Sequence, residues 1–446
     1  MIETIARQAR AAAVELAALD TGTKNRALAN VLAALEAARG AVQQANAEDR
    51  KDATRLIAQK QLSAALAKRL DLSGEKYDAV LAGIRDVIQL PDPVGRVDYA
   101  RQLDDGLVLR RVSCPIGVIG VIFEARPDAA VQISTLTLKS ANAVILKGGR
   151  EAERTNRALV QAIREGIART PGVPPDAVQL IATREEVREL LALDEWIDLI
   201  IPRGSNELVR SIQDATRIPV LGHADGICAV YIDRAADPAK AARIVADSKA
   251  QYPAVCNAAE TLIVHRDALG RVLPSVARAL ADAHVEVRAD ADALPYLPGA
   301  RLATEEDFRS EFLDLVIAVK TVRSLDEAVE HIHAHGSRHT DAIVTEDAAA
   351  AERFLARVDS AGVFHNASTR FADGFRYGLG AEVGISTNKT HARGPVGLEG
   401  LVIYKYRLEG DGHCVGDYGP GKRALRADPF EEGSKPGPQG ASGPLQ

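Results

Sequence analysis

Hydrophobic positions follow two different periods along the chain. Over roughly the first 90 residues, alanine and leucine recur every three to four positions with charged residues opposite them, which predicts amphipathic helices over 3–19 and 26–53. We expect these helices to cover a sheet. Residues 97–114 then predict two strands joined by an Asp-Asp-Gly turn, a hairpin without a hydrophobic core of its own.

From Pro115 onward, strands and helices are predicted to alternate. Nearly continuous apolar runs, with amphipathic segments between them, fall at 116–123, 143–149, 177–182 and 197–204. Such runs are typical of a parallel sheet with helices on both faces, and right-handed crossovers then produce a doubly wound domain. A second series of the same kind follows residues 221–232. The predicted fold class is therefore α/β, with two doubly wound parallel-sheet domains and a β-hairpin arm.

Length and composition narrow the class of protein. The chain has 446 residues, above the roughly 250–300 at which a single core stops growing, so two or more domains are expected. Only 4% of the residues are aromatic and the net charge is -6, which argues against a nucleic-acid partner. Glu3 and Glu15 interrupt the N-terminal segment, and no apolar run approaches the roughly 18 residues of a membrane span. We expect a cytoplasmic protein, with a disordered Gly/Pro/Ser-rich tail over 424–446.

The four cysteines, at positions 114, 228, 256 and 414, lie far apart without a C-x-x-C pair. Their spacing predicts free thiols in a reducing compartment, with neither a disulfide framework nor a metal site. Cys256 stands among small apolar neighbours in "AVCNAAETLIVH". Judged by residue type, it is either a packed core residue or a nucleophile, and packing is the commoner role of cysteine.

Two turns have the pattern of a phosphate-binding site. Lys147 ends a predicted strand, and Gly148 and Gly149 permit a close backbone approach before the next helix, whose amide end attracts anions. Gly204 and Ser205 follow the same logic. An ordinary strand-to-helix turn is the alternative in both places.

Several polar segments are candidates for binding an anionic substrate. Arg126 lies at the carboxyl end of the first strand of the alternating series, where open α/β sheets bind ligands, although a salt-bridged turn would explain it equally well. Arg370 and Arg393 lie with Ser and Thr hydroxyls in segments of poor periodicity, and guanidinium groups suit a carboxylate or phosphate. A solvated loop is the competing interpretation. "GLGAEVG" at 378–384 does not open a βαβ unit and is better read as a turn than as a nucleotide-binding fingerprint.

Several of these segments together resemble one family. "PIGVIGVIFEARPDA", "ILKGG", "AVCNAAETLIVH", "SEFLDLVIAVKTV", "HTDAIVTED" and "TRFADGFRYGLGAEVGISTNKTHARGPVGLEGL" are similar, in the same order, to the gamma-glutamyl phosphate reductases of the aldehyde dehydrogenase superfamily. The resemblance covers roughly residues 1–412. It implies reduction of L-glutamate 5-phosphate by NADPH to L-glutamate 5-semialdehyde and phosphate, a step of proline biosynthesis.

The resemblance also implies domains and residue roles. It places a cofactor-binding domain over 1–95 and 114–225, a catalytic domain over 226–370, a return segment at the substrate and cofactor cleft over 371–397, and an oligomerisation arm over 96–113 and 398–412. Cys256 falls on the family's nucleophile, Lys147 on a ribose-contacting lysine and Glu311 on the glutamate that holds the nicotinamide ribose. Arg150 replaces the usual acidic residue, and its cation favours the 2′-phosphate of NADP. Arg126, His223, Asn366, Arg370 and Arg393 are the residues expected to bind the substrate.

Two positions depart from the hydrolytic members of the superfamily. Ala125 stands where they have an asparagine donor, and Leu221 stands where they have the glutamate that activates water. A reductase must keep its thioester from water until hydride arrives, so the loss of the base favours reduction. We expect the Cys256 thiol to be activated by a helix start and by bound cofactor and to have a low pKa, with backbone amides as oxyanion donors.

Two other functions remain open from the sequence: oxidation of a semialdehyde by an NAD(P)-dependent aldehyde dehydrogenase, and a non-catalytic nucleotide-binding protein. The hairpin and the strand "GLVIYKYRLEG" at 400–410 are predicted to pair across subunits, which makes the protein at least a dimer.

Overall fold

The computed structural model describes residues 1–59, 64–223, 225–426 and 428–429. The helices of this part of the chain are α1 (Ile2–Leu16), α2 (Thr21–Ala37), α3 (Arg39–Ala58), α4 (Ala64–Arg69), α5 (Glu75–Gln89), α6 (Pro127–Lys139), α7 (Glu153–Ala168), α8 (Arg184–Leu191), α9 (Asn206–Ala215), α10 (Pro238–Ala250), α11 (Leu269–Asp282), α12 (Leu325–His335) and α13 (Ala348–Arg357).

The strands are β1 (Val97–Asp104), β2 (Leu107–Pro115), β3 (Val118–Phe123), β4 (Ala143–Lys147), β5 (Val178–Ile181), β6 (Leu199–Arg203), β7 (Cys228–Ile232), β8 (Ala259–His265), β9 (Glu286–Ala289), β10 (Arg301–Leu302), β11 (Val316–Val322), β12 (Thr340–Val344), β13 (Gly362–His365), β14 (Gly384–Ser386), β15 (Gly394–Val396), β16 (Val402–Glu409) and β17 (Asp428–Pro429). The predicted alternation of strand and helix is confirmed, with ends shifted by a few residues.

The backbone groups into two compact units. The first contains 1–120, 125–199 and 398–446, and the second contains 121–124 and 200–397. These units are regions of dense backbone contact, and the domain ranges given by the resemblance stay a prediction. Most of the predicted tail at 424–446 lies outside the described residues; its described part includes β17, which pairs with β1.

The first unit combines the N-terminal helices with two groups of strands. β4 pairs in parallel with β5, and α2 packs on α7. The predicted hairpin is confirmed: β1 and β2 pair antiparallel around Gly106, whose φ of 75° suits glycine in the turn. β16 adds to the other side of β2, which gives the order β16-β2-β1-β17.

The second unit is built on a seven-stranded sheet in the order β10-β9-β11-β8-β7-β12-β13, and every pair along it is parallel. β7 and β8 are buried over their whole length, as expected for central strands with helices on both faces. Ser324 and Asp347 cap the starts of α12 and α13 with side-chain oxygens, which satisfies backbone N–H groups there. Because β8, β7 and β12 are parallel neighbours, they begin at the same edge of the sheet.

Within the described residues, no helix combines the length and apolar character needed to cross a membrane. In the glycine-rich segment at 378–384, Gly378 ends a turn, Gly384 begins β14 and the backbone between them is irregular, so only the first residue of the predicted turn lies in one; Gly378 and Gly380 have φ values of 76° and 75°.

Candidate active site

Cys256 and His339 meet at the edge of the sheet where β8, β7 and β12 begin. Cys256 lies three residues before β8, and His339 immediately precedes β12. Because these strands are parallel neighbours, the residues before them are brought together although 83 positions separate them in sequence. The distance from Cys256 Sγ to His339 Nε2 is 3.2 Å, which is a thiol–imidazole hydrogen bond.

The segment before β7 packs against the backbone of Cys256. A side chain at Gly226 would overlap the Cys256 backbone, so only glycine allows the two segments to approach. Cys228, at the start of β7, donates its thiol to the Cys256 carbonyl oxygen at 3.2 Å. Because Cys228 is buried, this hydrogen bond holds the Cys256 loop against the start of β7.

The surroundings of Cys256 hold its thiol in the protonated form. Burial is the largest cause that raises the pKa of this thiol to about 12, and the carboxylates of Glu311 and Glu382 add to it. The positive charge of Arg203 acts in the opposite direction. The expectation of a low pKa at a helix start is wrong, because Cys256 lies in a turn before a strand and no described helix begins there.

His339 is the site residue that sequence reasoning missed. Burial lowers its pKa well below the usual value of histidine, and nearby His223 adds to the effect, so the ring is neutral. Its Nδ1 lies 2.9 Å from the Thr340 hydroxyl. When the thiol donates to Nε2, Nδ1 carries the ring proton and donates it to that hydroxyl. The neutral ring is thus set to accept a proton from sulfur.

His223 supplies a second imidazole at the same place. Its ring packs edge-on against the His339 ring, with centroids 5.2 Å apart. Nδ1 donates to the Ile385 carbonyl oxygen at 3.0 Å. The prediction placed His223 among the substrate residues, and the structure places it beside the Cys256–His339 pair.

Arg370 is positioned by the loop that carries Cys256. Asn257 Nδ2 donates to the Ala372 carbonyl at 2.8 Å, and the Thr369 hydroxyl donates to the Asn257 carbonyl at 2.7 Å. Arg370 is 8% exposed and donates from Nε to Gln251 at 3.0 Å. Burial and the neighbouring Arg376 both lower the pKa of the Arg370 guanidinium, so a bound anion would relieve the repulsion.

The structure gives Arg393 and Asn366 other partners. Arg393 donates to the Asp359 carboxylate at 3.0 Å, and Lys389 pairs with the same carboxylate at 2.6 Å. Asn366 accepts from the Thr345 N–H at 3.0 Å and donates to the Thr345 carbonyl at 2.9 Å, which fixes the end of β13. Their assignment to substrate stays a prediction.

Glu311 lies in the second unit close enough to Cys256 to affect its pKa. Its carboxylate accepts a hydrogen bond from Asn206 Nδ2 at 3.0 Å, at the first residue of α9. Just before it, Ser205 caps α9, and the Ser205 N–H donates to the Glu124 carboxylate at 2.9 Å. A side chain at Gly204 would overlap Glu124. The Glu124 carboxylate therefore lies at the start of α9, where an anionic ligand would bind the backbone N–H groups.

The predicted cofactor residues of the first unit form the turn after β4. Lys147 ends the strand, and Gly149 precedes a short 3₁₀ helix at Arg150–Ala152 that no side chain caps. The Glu151 carboxylate folds back over Gly149 and accepts a hydrogen bond from the Ala125 N–H at 2.6 Å. A side chain at position 149 would overlap this carboxylate, so the position requires glycine. Arg150 is exposed.

The structure also shows the two positions that depart from the hydrolytic family members, Ala125 and Leu221, and the neighbouring Arg126. Ala125 has a positive φ of 44°, and its N–H is held by Glu151. Leu221 is 1% exposed and packs in the core, so this position carries no group that could activate water. Arg126 forms an ion pair with Asp128 at 2.8 Å, which is the salt-bridged turn weighed above.

Comparison with known proteins first defines the class. Residues 1–294 match the model of the aldehyde dehydrogenase family. An acetylating aldehyde dehydrogenase from Geobacillus thermoglucosidasius shares the fold, with a TM-score of 0.61 at 17% identity over 93% of this chain and 97% of that one. The α/β architecture with parallel sheets is therefore that of the aldehyde dehydrogenases.

More similar proteins narrow the class. A gamma-glutamyl phosphate reductase of Trichormus variabilis is 55% identical over 417 residues, which are 94% of this chain and 95% of that protein. The crystal structure of gamma-glutamyl phosphate reductase from Thermotoga maritima matches with a TM-score of 0.89 and 38% identity over 93% of this chain and 99% of that one. The chain belongs to the gamma-glutamyl phosphate reductases, oxidoreductases of the aldehyde dehydrogenase family, which use a nicotinamide cofactor.

Proposed function

We propose that this protein reduces L-glutamate 5-phosphate to L-glutamate 5-semialdehyde with NADPH, with release of phosphate, in the biosynthesis of proline. The relatives named gamma-glutamyl phosphate reductase support the reaction. The observation that carries the mechanism is the 3.2 Å contact between the Cys256 thiol and the neutral His339 imidazole. Buried Leu221 supports reduction over hydrolytic oxidation, because it offers no base to activate water.

The first chemical step is acyl transfer to Cys256. Sγ forms a bond to the acyl carbon of the substrate, and the bond from that carbon to the phosphate oxygen breaks, so phosphate leaves with the electron pair. His339 Nε2 takes the thiol proton during the attack. With the pKa of the thiol at about 12, proton removal and attack have to coincide, since the thiolate is scarce beforehand.

The second step returns the thiol. When bound, the NADPH cofactor would supply the hydride needed to reduce the thioester on Cys256. His339 gives its proton to the oxygen of the resulting thiohemiacetal. The carbon–sulfur bond then breaks with its electron pair on sulfur, the hydroxyl of the thiohemiacetal becomes the carbonyl of the semialdehyde, and the hydroxyl proton passes through His339 Nε2 to Sγ, which closes the cycle. Arg370 and Arg376 are suited to hold a carboxylate or phosphate of the substrate during both steps.

The turn at 147–150 fits a phosphorylated dinucleotide. Gly148 has no side chain to obstruct a phosphate, whereas the Glu151 carboxylate lies over Gly149 and has to move before a phosphate can approach the backbone there. Lys147 ends β4, and exposed Arg150 supplies the cation that a 2′-phosphate requires. We therefore assign NADPH as the cofactor, with Lys147, Gly148, Gly149 and Arg150 as its contacts. Gly204, Ser205 and Glu311 stay predicted cofactor residues.

The direct test is NADPH oxidation with freshly made glutamyl phosphate, followed together with phosphate release. We expect Cys256→Ala to abolish both signals while its far-UV circular dichroism and its melting temperature stay those of the wild type. Cys414→Ser, at an exposed cysteine, is the matched control and should retain both. Turnover by folded Cys256→Ala would refute the mechanism, and oxidation of NADPH without phosphate release would refute the substrate.

We further propose that the protein is a homo-oligomer formed through β16. β16 is an edge strand, and Ile403, Tyr404, Tyr406 and Leu408 on it are exposed large apolar or aromatic side chains. Apolar and aromatic side chains exposed on an edge strand favour pairing with another chain. Light scattering should find a dimer or a multiple of it, and Tyr406→Lys should shift the protein towards the monomer. A wild-type monomer at micromolar concentration would contradict the proposal.

A further inference from the structure

The pair described above is part of a three-residue cluster of metal-binding side chains. Sγ of Cys256 and one ring nitrogen each of His223 and His339 all lie within 4.8 Å of one another. Sulfur and imidazole nitrogen are donors that Zn²⁺ prefers, with bonds of about 2.3 and 2.0–2.1 Å. Tetrahedral coordination places such donors about 3.3–3.6 Å apart. The 3.2 Å separation of Cys256 and His339 lies just below this range, and a movement of His223 by up to about 1.3 Å would complete the triangle.

The second ring nitrogen of each histidine is already held. His223 Nδ1 donates to the Ile385 carbonyl oxygen at 3.0 Å, so the proton is on Nδ1 and Nε2 keeps its lone pair. His339 Nδ1 contacts the Thr340 hydroxyl at 2.9 Å, which leaves Nε2 to face sulfur. Metal-binding histidines are typically oriented in this way, with the outer nitrogen hydrogen-bonded to a carbonyl or another polar group.

Charges of both signs surround the cluster. Glu311 and Glu382 act on the Cys256 sulfur as negative charges, while Arg203 and Arg370 act as positive charges, so the donor atoms rather than the surrounding charge favour a metal ion. The ligands come from three segments that precede β7, β8 and β12, so their sequence spacing could not reveal the cluster. The prediction of no metal site rested on that spacing alone.

We propose that His223, Cys256 and His339 form a binding site for Zn²⁺ with three protein ligands and an open fourth position. On binding, the Cys256 thiol releases one proton to solvent, and its sulfur becomes a metal ligand. Binding follows from the geometry alone. Inhibition rests on the proposed function, because a sulfur bound to zinc is unavailable to attack an acyl carbon.

Co²⁺ is the probe for the binding itself. Titration of the full-length protein should produce a thiolate-to-cobalt charge-transfer band that saturates at one ion per chain, is bleached by Zn²⁺ and is unchanged by Mg²⁺. Cys256→Ser and His223→Ala should lose the band and bind Co²⁺ at least about tenfold more weakly. Cys414→Ser is the matched control and should keep it. No band in the wild type, or an undiminished band in folded Cys256→Ser, would overturn the site.

A measurement on the wild type guards against variants that fail to fold. Zn²⁺ should protect Cys256 from iodoacetamide, as read from the modified peptide by mass spectrometry, and EDTA should restore labelling. Labelling of Cys256 at an unchanged rate in saturating Zn²⁺ would refute binding.

Activity separates the two proposals. Zn²⁺ should abolish NADPH oxidation in proportion to the occupied sites, and EDTA should restore it. If Co²⁺ and Zn²⁺ bind as described but saturated enzyme still turns over, the inhibitory role falls together with Cys256 as nucleophile, whereas the metal site stands.

Discussion

The proton on Cys256 governs chemistry at the scale of single residues. Alkylation requires the thiolate, and the pKa of this thiol is raised to about 12 by burial and by Glu311 and Glu382. Below such a pKa the thiolate fraction grows with pH, so we expect the alkylation rate of ligand-free enzyme to rise about tenfold per pH unit between about pH 7 and pH 9. Peptide mass spectrometry with iodoacetamide measures it. A rate that levels off below about pH 8 would contradict this pKa.

Replacing His339 should change the catalytic rate constant rather than the binding of the acyl phosphate. Since its Nε2 faces sulfur, His339→Ala should lower kcat by about 10²–10⁴-fold and change KM for the acyl phosphate much less. Steady-state kinetics with both substrates checks the split. His284→Asn, at an exposed histidine with φ of 57° that asparagine tolerates, is the control. A large rise in KM with unchanged kcat would show that His339 binds substrate instead.

Sequence reasoning reached some of these residues and not others. Cys256 was selected by resemblance, since its residue type alone favours packing. His339 was missed although it opens the quoted segment "HTDAIVTED", because a buried histidine before a strand has no local signature. Its role depends on the order β8-β7-β12, which brings distant strand beginnings together. The prediction of a low pKa for Cys256 was wrong because the burial that raises this pKa depends on the tertiary structure and leaves no mark in the local sequence.

At the scale of elements, Gly226 controls how closely the start of β7 approaches the Cys256 loop. Any side chain there would overlap the Cys256 backbone. We expect Gly226→Ala to lower the free energy of unfolding by about 1–3 kcal/mol. Urea denaturation measures it. Gly83→Ala, in α5 with open space around it, should be neutral or stabilising by up to about 1 kcal/mol. Equal stability of the two variants would contradict the close approach.

A buried ion pair joins α10 to β8. Lys249 and Glu260 are both fully buried, with Nζ and Oε2 2.6 Å apart. Burial raises the pKa of the Glu260 carboxyl to about 7, and Lys249 lowers it in part. Removing one partner leaves an uncompensated group, so Lys249→Met should cost about 3–5 kcal/mol of unfolding free energy.

The pH dependence of that variant has a defined sign. Without Lys249 the folded-state pKa of Glu260 lies further above its unfolded value, so folding favours the protonated carboxyl. Stability is then complete below the unfolded pKa of Glu260, 4.5, and is lost as the pH rises through its folded-state pKa, which in the variant lies above the value of about 7 found with Lys249 present. Urea denaturation from pH 5.5 to about 8.5 should show the loss, and Lys249→Met/Glu260→Gln should remove most of it. A pH-independent cost would contradict the account.

Element types were more predictable than element relations. The alternation of strands and helices and the 97–114 hairpin were predicted from period and turn chemistry, whereas the predicted turn at 378–384 matches the structure only at its first residue. The sequence suggested ligand sites at the carboxyl ends of strands. In the seven-stranded sheet, Cys256 and His339 instead lie at the amino ends, because the sheet order and not the local pattern decides which segments meet.

At the scale of the whole molecule, the side chain at position 221, where hydrolytic family members have a water-activating glutamate, is the feature that sets the direction of chemistry. Leu221 is buried in the position expected for that base, and the relatives are named reductases. The thioester on Cys256 should therefore be stable to water and open only to hydride or phosphate. In the reverse direction, phosphate should be required for turnover.

A rapid-mixing experiment with L-glutamate 5-semialdehyde and NADP⁺ in phosphate-free buffer tests this most directly. The account predicts a burst of NADPH of about one equivalent per chain, then a stall, and renewed turnover when phosphate is added. Cys256→Ala should give no burst. Steady NADPH formation without phosphate would contradict the account, because it would show that water releases the acyl group from Cys256.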